Sequence, residues 1–128
     1  MKRVTGLGGI FYKCKDKENM LNWYRKHLGI DAQEWGAVFQ LDETLKQHPT
    51  AYNVWSLFKE DTKHFEPSQS SFMINFTVEN LHELLAQLRA EGVTVIDKTE
   101  DSEYGKFGWI LDAEGNKIEL WQPPATAI

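Results

Sequence analysis

The sequence predicts an α+β fold of two tandem βαβββ modules, whose curled mixed sheets enclose a cavity and carry their helices on the outer faces. Three observations lead there. A strand-like apolar run, a stretch with helical spacing and three more strand-like runs follow one another twice along the 128 residues. The letters repeat as well: DKENMLNWYRKHLG in the first half answers VENLHELLAQLRAEG in the second, and a strand precedes each. Finally, half of such a chain, about 64 residues, buries little apolar surface by itself, so the two sheets are expected to share one interior.

Val4 to Cys14 is rich in apolar residues and reads as a strand. Asp16 can cap a helix over Lys17 to Leu28, because Met20, Leu21, Trp23, Tyr24, His27 and Leu28 recur at spacings of three and four. Gly29 can take the left-handed conformation that stops it. Ile30 to Glu34, Ala37 to Leu41 and Tyr52 to Lys59 read as three strands, with Gly36 in the turn between the first two. The polar stretch DETLKQHPT, 42–50, reads as a loop closed by Pro49.

After the link EDTKHFEPSQS, 60–70, the order repeats. Ser71 to Val78 reads as a strand with Phe72, Ile74, Phe76 and Val78 on one face, and Met73, Asn75 and Thr77 on the other. Asn80 with Glu83 three residues later is a capping box for a helix whose stripe is Leu81, Leu84, Leu85 and Leu88, ended by Gly92. Val93 to Ile96, Lys106 to Leu111 and Lys117 to Trp121 are the last strands, and DAEG, 112–115, turns between the final two. The whole is read as one domain: a first module at 1–62, the link at 60–70, a second module at 70–122 and a proline-containing tail at 122–128.

Composition narrows the function classes. Fourteen Lys and Arg against nineteen Asp and Glu give a net charge of -5, with no basic stripe, so nucleic acid is not an expected partner. No run approaches the roughly 20 apolar residues of a membrane span, so no membrane partner is expected either. The opening MKRVTGLGGIFYKC starts basic but has no long apolar run, and a cytoplasmic, reducing location is the expectation. Cys14 is the single cysteine, which excludes an intrachain disulfide and a Cys-based zinc cluster. TGLGG lacks both the GxGxxG spacing and a Lys-Ser/Thr ending, so it is no phosphate loop. Five Trp, four Tyr and seven Phe are a heavy aromatic load, suited to a core or to a ligand cavity.

Two segments resemble a known group. YGKFGWILDAEGNKIELWQP, 104–123, is similar to the last hairpin of the vicinal oxygen chelate superfamily, which contains glyoxalases, bleomycin-resistance proteins and extradiol dioxygenases. NWYRKHLG, 22–29, resembles the end of that superfamily's first helix, and with the duplicated order the resemblance covers the whole chain. It implies the fold more than the reaction, because lyases, epimerases, dioxygenases, thiol transferases and drug-sequestering proteins share it. In metal-dependent members four cavity side chains hold a divalent ion. Carried onto this sequence, those positions fall on Gly9, at or beside Trp55, on Met73 and on Glu119. Glycine offers no ligand, indole nitrogen only donates, and a thioether suits copper(I) better than harder ions. The resemblance therefore implies no metal and no cofactor here.

Glu119 remains as the one candidate catalytic residue, either a general base or an anchor for a cationic or hydroxyl-bearing ligand. A retained carboxylate without chemistry is the bland reading. Candidate ligand-binding residues are Phe11, Trp55, Met73, Asn75, Thr77, Tyr104 and Trp121. Phe107 and Trp109 share a strand face, and the sequence leaves open whether it is the cavity face. His27 reads as structural and His82 as exposed, while His48 and His64 fall in polar loops; only a site rebuilt from His64 and Glu119 would restore a metal. Cys14 reads as an inert thiol on the helix side.

Two functional classes follow. One is a metal-independent protein that holds a small aromatic or partly apolar molecule in its cavity, as the bleomycin-resistance branch does. The alternative is an enzyme of the same superfamily, a glyoxalase-like lyase, isomerase or dioxygenase with a modified metal site or Glu119 as general base. An interaction module with a self-filled interior is a third reading. The resemblance also implies a homodimer, since short family members complete their cavities by pairing chains.

Overall fold

A computed structural model describes residue 1 and residues 3–126. The last two residues of the expected tail, 127 and 128, lie outside the described residues. The elements are α1 (Lys17–Leu28), α2 (Leu41–Gln47), β1 (Ile74–Thr77), α3 (Leu81–Ala90), β2 (Val95–Ser102), β3 (Gly105–Leu111) and β4 (Lys117–Gln122). The strands form one curled mixed sheet in the order β1-β4-β3-β2, with β1 parallel to β4 and the other pairs antiparallel. The α+β class and the βαβββ order of the second half are therefore as the sequence indicates.

Local chemistry sets the helix ends. Asp16 is the N-cap of α1, its carboxylate accepting from the Asn19 backbone N–H at 3.0 Å, and Gly29 closes the helix at φ 64°. Asn80 caps α3 in the same way, accepting from Glu83 N–H at 3.2 Å. One face of the sheet packs against α1 and α3. Leu81, Leu85 and Leu88 of α3 and Met20 and Tyr24 of α1 meet Ile110, Ile118 and Leu120 in the core, with Cys14 packed against it on the helix side as expected. Gly108 lets α3 come close, since a Cβ there would lie 2.8 Å from Leu85 Cδ1.

The β3–β4 turn ties α1 to the sheet. Asp112 is buried and accepts from the Tyr24 hydroxyl at 2.7 Å, from the backbone of Glu114 and Asn116, and from the Asn116 amide. Burial and the Asp112 hydrogen bond hold the Tyr24 phenol far above its ordinary value, so it stays a donor. The Glu114 carboxylate accepts from the backbone N–H groups of Lys15 and Asp16, and those bonds hold its pKa below the usual carboxylate range. His27 joins the helices, its Nδ1 lying 2.7 Å from Glu91 Oε1 at the end of α3.

Several elements differ from the sequence reading. Residues 42–50 are not all loop, because LDETLKQ forms α2, with acidic residues in its first turn and Lys46 bonded to Glu43 at 3.1 Å. Its composition favours a helix and Pro49 prevents continuation. Strand β2 runs on to Ser102, so Glu100 and Asp101 belong to a strand, and the loop shrinks to Glu103 and Tyr104 because Ser102 pairs with Gly105. Strand β1 starts at Ile74 rather than Ser71, since its ladder on β4 begins opposite Ile118. Among the described residues the runs 4–14, 30–41 and 51–59 form no strand beyond a bridge between Gln33 and Gly36, which does place the expected turn. Their apolar side chains, from Val4 to Phe58, are largely exposed. Alternation gives a segment the capacity to be a strand, but a ladder also needs a partner edge in register.

Candidate functional site

The face of the sheet opposite the helices gathers the polar and aromatic groups. Strand alternation puts Lys117, Glu119 and Trp121 of β4 on it. In the ladders Glu119 lies opposite Asn75 of β1 on one side and Trp109 of β3 on the other, while Trp121 lies opposite Thr77 and Phe107. The question the sequence left open is thereby decided: Phe107 and Trp109 share the Glu119 face.

Glu119 is held from both sides. Asn75 Nδ2 donates to one carboxylate oxygen at 2.6 Å and the Trp109 indole Nε1 donates to the other at 3.1 Å. Both donors are neutral, so the pair orients the carboxylate without cancelling its charge. Trp109 is 3% exposed and Trp121 5% exposed. Trp121 stacks on Phe107 at 6.1 Å with 10° between the planes, meets the Tyr52 ring edge-on, and donates its indole N–H to the Tyr104 carbonyl at 2.8 Å. The face is open at its β1 edge, where Asn75 is exposed.

Cations and the link segment cover the other end. Lys117 Nζ lies 5.6 Å and Lys98 Nζ 5.7 Å from the Trp109 ring centre. Lys117 donates to the His64 carbonyl at 2.6 Å, and the His64 ring, stacked on Phe58, meets Trp109 edge-on at 6.0 Å. Burial, and then the charge of Lys98, push the Lys117 amine below its ordinary value.

The predicted site residues fall into two groups. Glu119, Asn75, Thr77 and Trp121 come together on this face, and Tyr104 touches it through its carbonyl. Met73 lies just before β1, next to Asn75 in the alternation. Phe11 and Trp55 lie at the surface, 93% and 77% exposed. The sequence reading missed Lys117 as a member of this face and considered His64 only as a metal ligand beside Glu119. The signal for Lys117 was the GNKIEL run, where Lys117 and Glu119 are two residues apart in one strand. Two concavities occur elsewhere. One of about 380 Å³ lies between α3 and β2, lined by His82, Arg89 and Asp97 among others; one of about 240 Å³ lies beside Trp35 and Phe39. Glu119 lines neither.

The donor set does not fit the divalent ion of the metal-dependent superfamily members. Both Glu119 oxygens are engaged by N–H donors, and the three other matched positions are Gly9, Trp55 and Met73. Among the described residues, no group of three or more His, Cys, Asp and Glu side chains is placed to hold a metal ion. Nor is any helix among them long and apolar enough to cross a membrane.

Residues 9–121 match the family model of the glyoxalase-like domain. No curated protein is similar enough in sequence to count as a relative. Among solved structures, the chain is similar to a glyoxalase/bleomycin resistance protein/dioxygenase domain from Frankia sp. EAN1pec, at 14% identity and a TM-score of 0.53, over 95% of this chain and 100% of that one. An integron cassette protein from Vibrio cholerae is similar at 18% identity and a TM-score of 0.49, over 88% of this chain and 98% of that one. A glyoxalase family protein from Enterococcus faecalis matches at 19% identity and a TM-score of 0.37, over 51% of this chain and 52% of that one, so the chain spans about half the length of that protein.

Proposed function

The chain belongs to the glyoxalase-like domain family of the vicinal oxygen chelate superfamily, and from that premise we propose that it binds a small aromatic or partly apolar molecule on the Glu119 face without a metal. The observation that carries this reading is the double clamp on Glu119. Asn75 and Trp109 fix a charged carboxylate on a face whose buried indoles, Trp109 and Trp121, lie beside the exposed Tyr52 ring and the half-buried Phe107. Such a face suits a ligand with a ring and a cationic or hydroxyl group, the ring against Tyr52 and Phe107 and the polar group toward Glu119.

Tryptophan emission of the chelator-treated protein, screened against small aromatic cations and alcohols, tests the reading. A bound ring shifts the emission. Trp121→Ala, which removes the ring that Phe107 and Tyr52 pack on, then weakens binding by about 1–3 kcal/mol. Glu119→Gln keeps the shape and removes the charge, and lowers affinity for the cations by about tenfold, a loss of about 1.4 kcal/mol. Added nickel or zinc leaves both affinities unchanged. Equal affinities for wild type and both variants would remove this face from the function, and binding only after metal addition would overturn the metal-free reading.

The proposal includes a homodimer as the working form. The exposed apolar runs 4–14 and 51–59, with Phe11 and Trp55, supply strand-like segments that a second copy can pair, closing the open face. Hydrogen exchange measured across a dilution series should show amides of 4–14 and 51–59 protected at tens of micromolar and fast on dilution, while those of β3 and β4 stay protected throughout. Sedimentation of a stable 14.8 kDa species at the higher concentration would refute the pairing.

A further inference from the structure

The concavity of about 380 Å³ between α3 and β2 lies on the helix side of the sheet, and Glu119 takes no part in it. His82, Leu85 and Arg89 form its helix wall, at spacings of three and four that put them on one stripe of α3. Asp97, Lys98 and Thr99 form its strand wall. Both walls are anchored. Leu85 is 2% exposed and sits against Gly108 of β3, which seats α3 on the sheet. Thr99 pairs with that same Gly108, so the two share the face turned toward the helix. Between Val95 and Thr99 the register shifts, because these residues pair with Ile110 and Gly108, and β2 takes more residues than β3 to cover the same stretch. Asp97 stands inside that irregularity, a kind that re-aims side chains.

The charges in the groove form a separated pair. Arg89 brings a guanidinium and Asp97 a carboxylate to facing walls. Among the described residues neither lies within ion-pair distance of the other or of any other charged group. The remaining charges are engaged. His82 Nε2 lies 3.6 Å from Asp101 Oδ1, at the end of the groove beyond Thr99. The Lys98 amine passes to the opposite face, 5.7 Å from the Trp109 ring centre and 3.2 Å from Glu100 Oε1. An anion alone would satisfy Arg89 and meet a like charge at Asp97, and a cation alone would do the reverse. A molecule that carries both charges satisfies both walls.

We propose that this groove binds a small zwitterion of the amino-acid or dipeptide kind, its carboxylate on Arg89 and its ammonium on Asp97. Guanidinium takes a carboxylate through two parallel N–H···O bonds. The Thr99 hydroxyl, which both donates and accepts, serves the polar groups between the two ends. From His82 to Arg89 the helix wall runs about 10 Å, and an extended dipeptide spans about 7 Å.

Glycylglycine tests this on the intact, isotope-labelled protein, beside N-acetylglycylglycine, which keeps only the carboxylate, and glycylglycinamide, which keeps only the amine. Amide shifts of α3 and β2 are followed at constant ionic strength. Glycylglycine should bind with a Kd on the order of millimolar, about three- to fivefold more tightly than either analogue, the worth of one exposed ion pair. Arg89→Gln should bring glycylglycine to the affinity of glycylglycinamide, and Asp97→Asn to that of the acetylated form. Both side chains are exposed, so neither change touches the core. Equal affinities for the three probes overturn the proposal, as does the absence of a saturable shift in α3 and β2, a shift that sodium chloride reproduces, or an affinity that both substitutions leave unchanged. Shifts confined to β4 and Asn75 would put the dipeptide on the Glu119 face and overturn it too. The amides read here lie on the helix side of the sheet, so the outcome is separate from the binding tested through Glu119 and Trp121.

Discussion

Truncating Leu88 to alanine lowers the stability of the protein by about 2–5 kcal/mol. Leu88 is fully buried where α3 meets the sheet, among Leu81, Leu85, Ile110, Ile118 and Leu120. Its neighbours are themselves packed against a backbone that cannot sink, because Gly108 already brings α3 to van der Waals distance of β3. A cavity therefore persists, and the cost is the lost transfer of the side chain plus the lost contacts around the void. Since a domain of this size is stable by only about 5–15 kcal/mol, the effect takes a large share. Urea unfolding should show a lower midpoint with an unchanged slope. A loss under about 1 kcal/mol would mean that α3 does not pack on the sheet as described.

Asp112→Ala is expected to cost about 3 kcal/mol or more. The carboxylate is shared by the Tyr24 hydroxyl, two backbone N–H groups and the Asn116 amide, and alanine leaves these donors without an acceptor. An orphaned buried donor carries its desolvation penalty with nothing to offset it. Tyr24→Phe removes a single donor and should cost about 1–2 kcal/mol. Because the two side chains share a bond, the double variant should lose less than the sum of the single ones, by about 1 kcal/mol. Additive losses would show that α1 is not tied to the β3–β4 turn through this contact. Chemical unfolding of the four proteins completes the cycle.

The parts of the fold legible in the sequence are those governed by neighbours along the chain. Asp16 and Gly29 bound α1 because a side-chain acceptor and a left-handed residue act within one turn, and both were found where the letters put them. Asn80 with Glu83 did the same for α3. Leu41–Gln47 was legible too, through its helix-forming composition, but its polarity was read as a loop.

The candidate site depended on register. The sequence placed Glu119 on the face opposite the helices by alternation within one strand, and β4 bears that out. Whether Trp109 joined it turned on the length of the β3–β4 connection. Leu111 pairs with Lys117, so five residues, 112–116, form the link, and Trp109 lies opposite Glu119. A register shifted by one would have put Trp109 on the side of the sheet away from Glu119. The Asp112 carboxylate holds that turn, accepting from the backbone N–H groups of both Glu114 and Asn116.

Local rules thus determined the helices, their caps, the order of the second half and the side of the sheet on which Glu119 stands. The tertiary structure alone decided which rings flank that carboxylate, that Lys117 lies over Trp109 beside Lys98, and which apolar runs enter a ladder. Caps and alternation are fixed within a few residues of chain, whereas a ladder is a contract between distant segments, and its register depends on turns and partners that no single segment encodes.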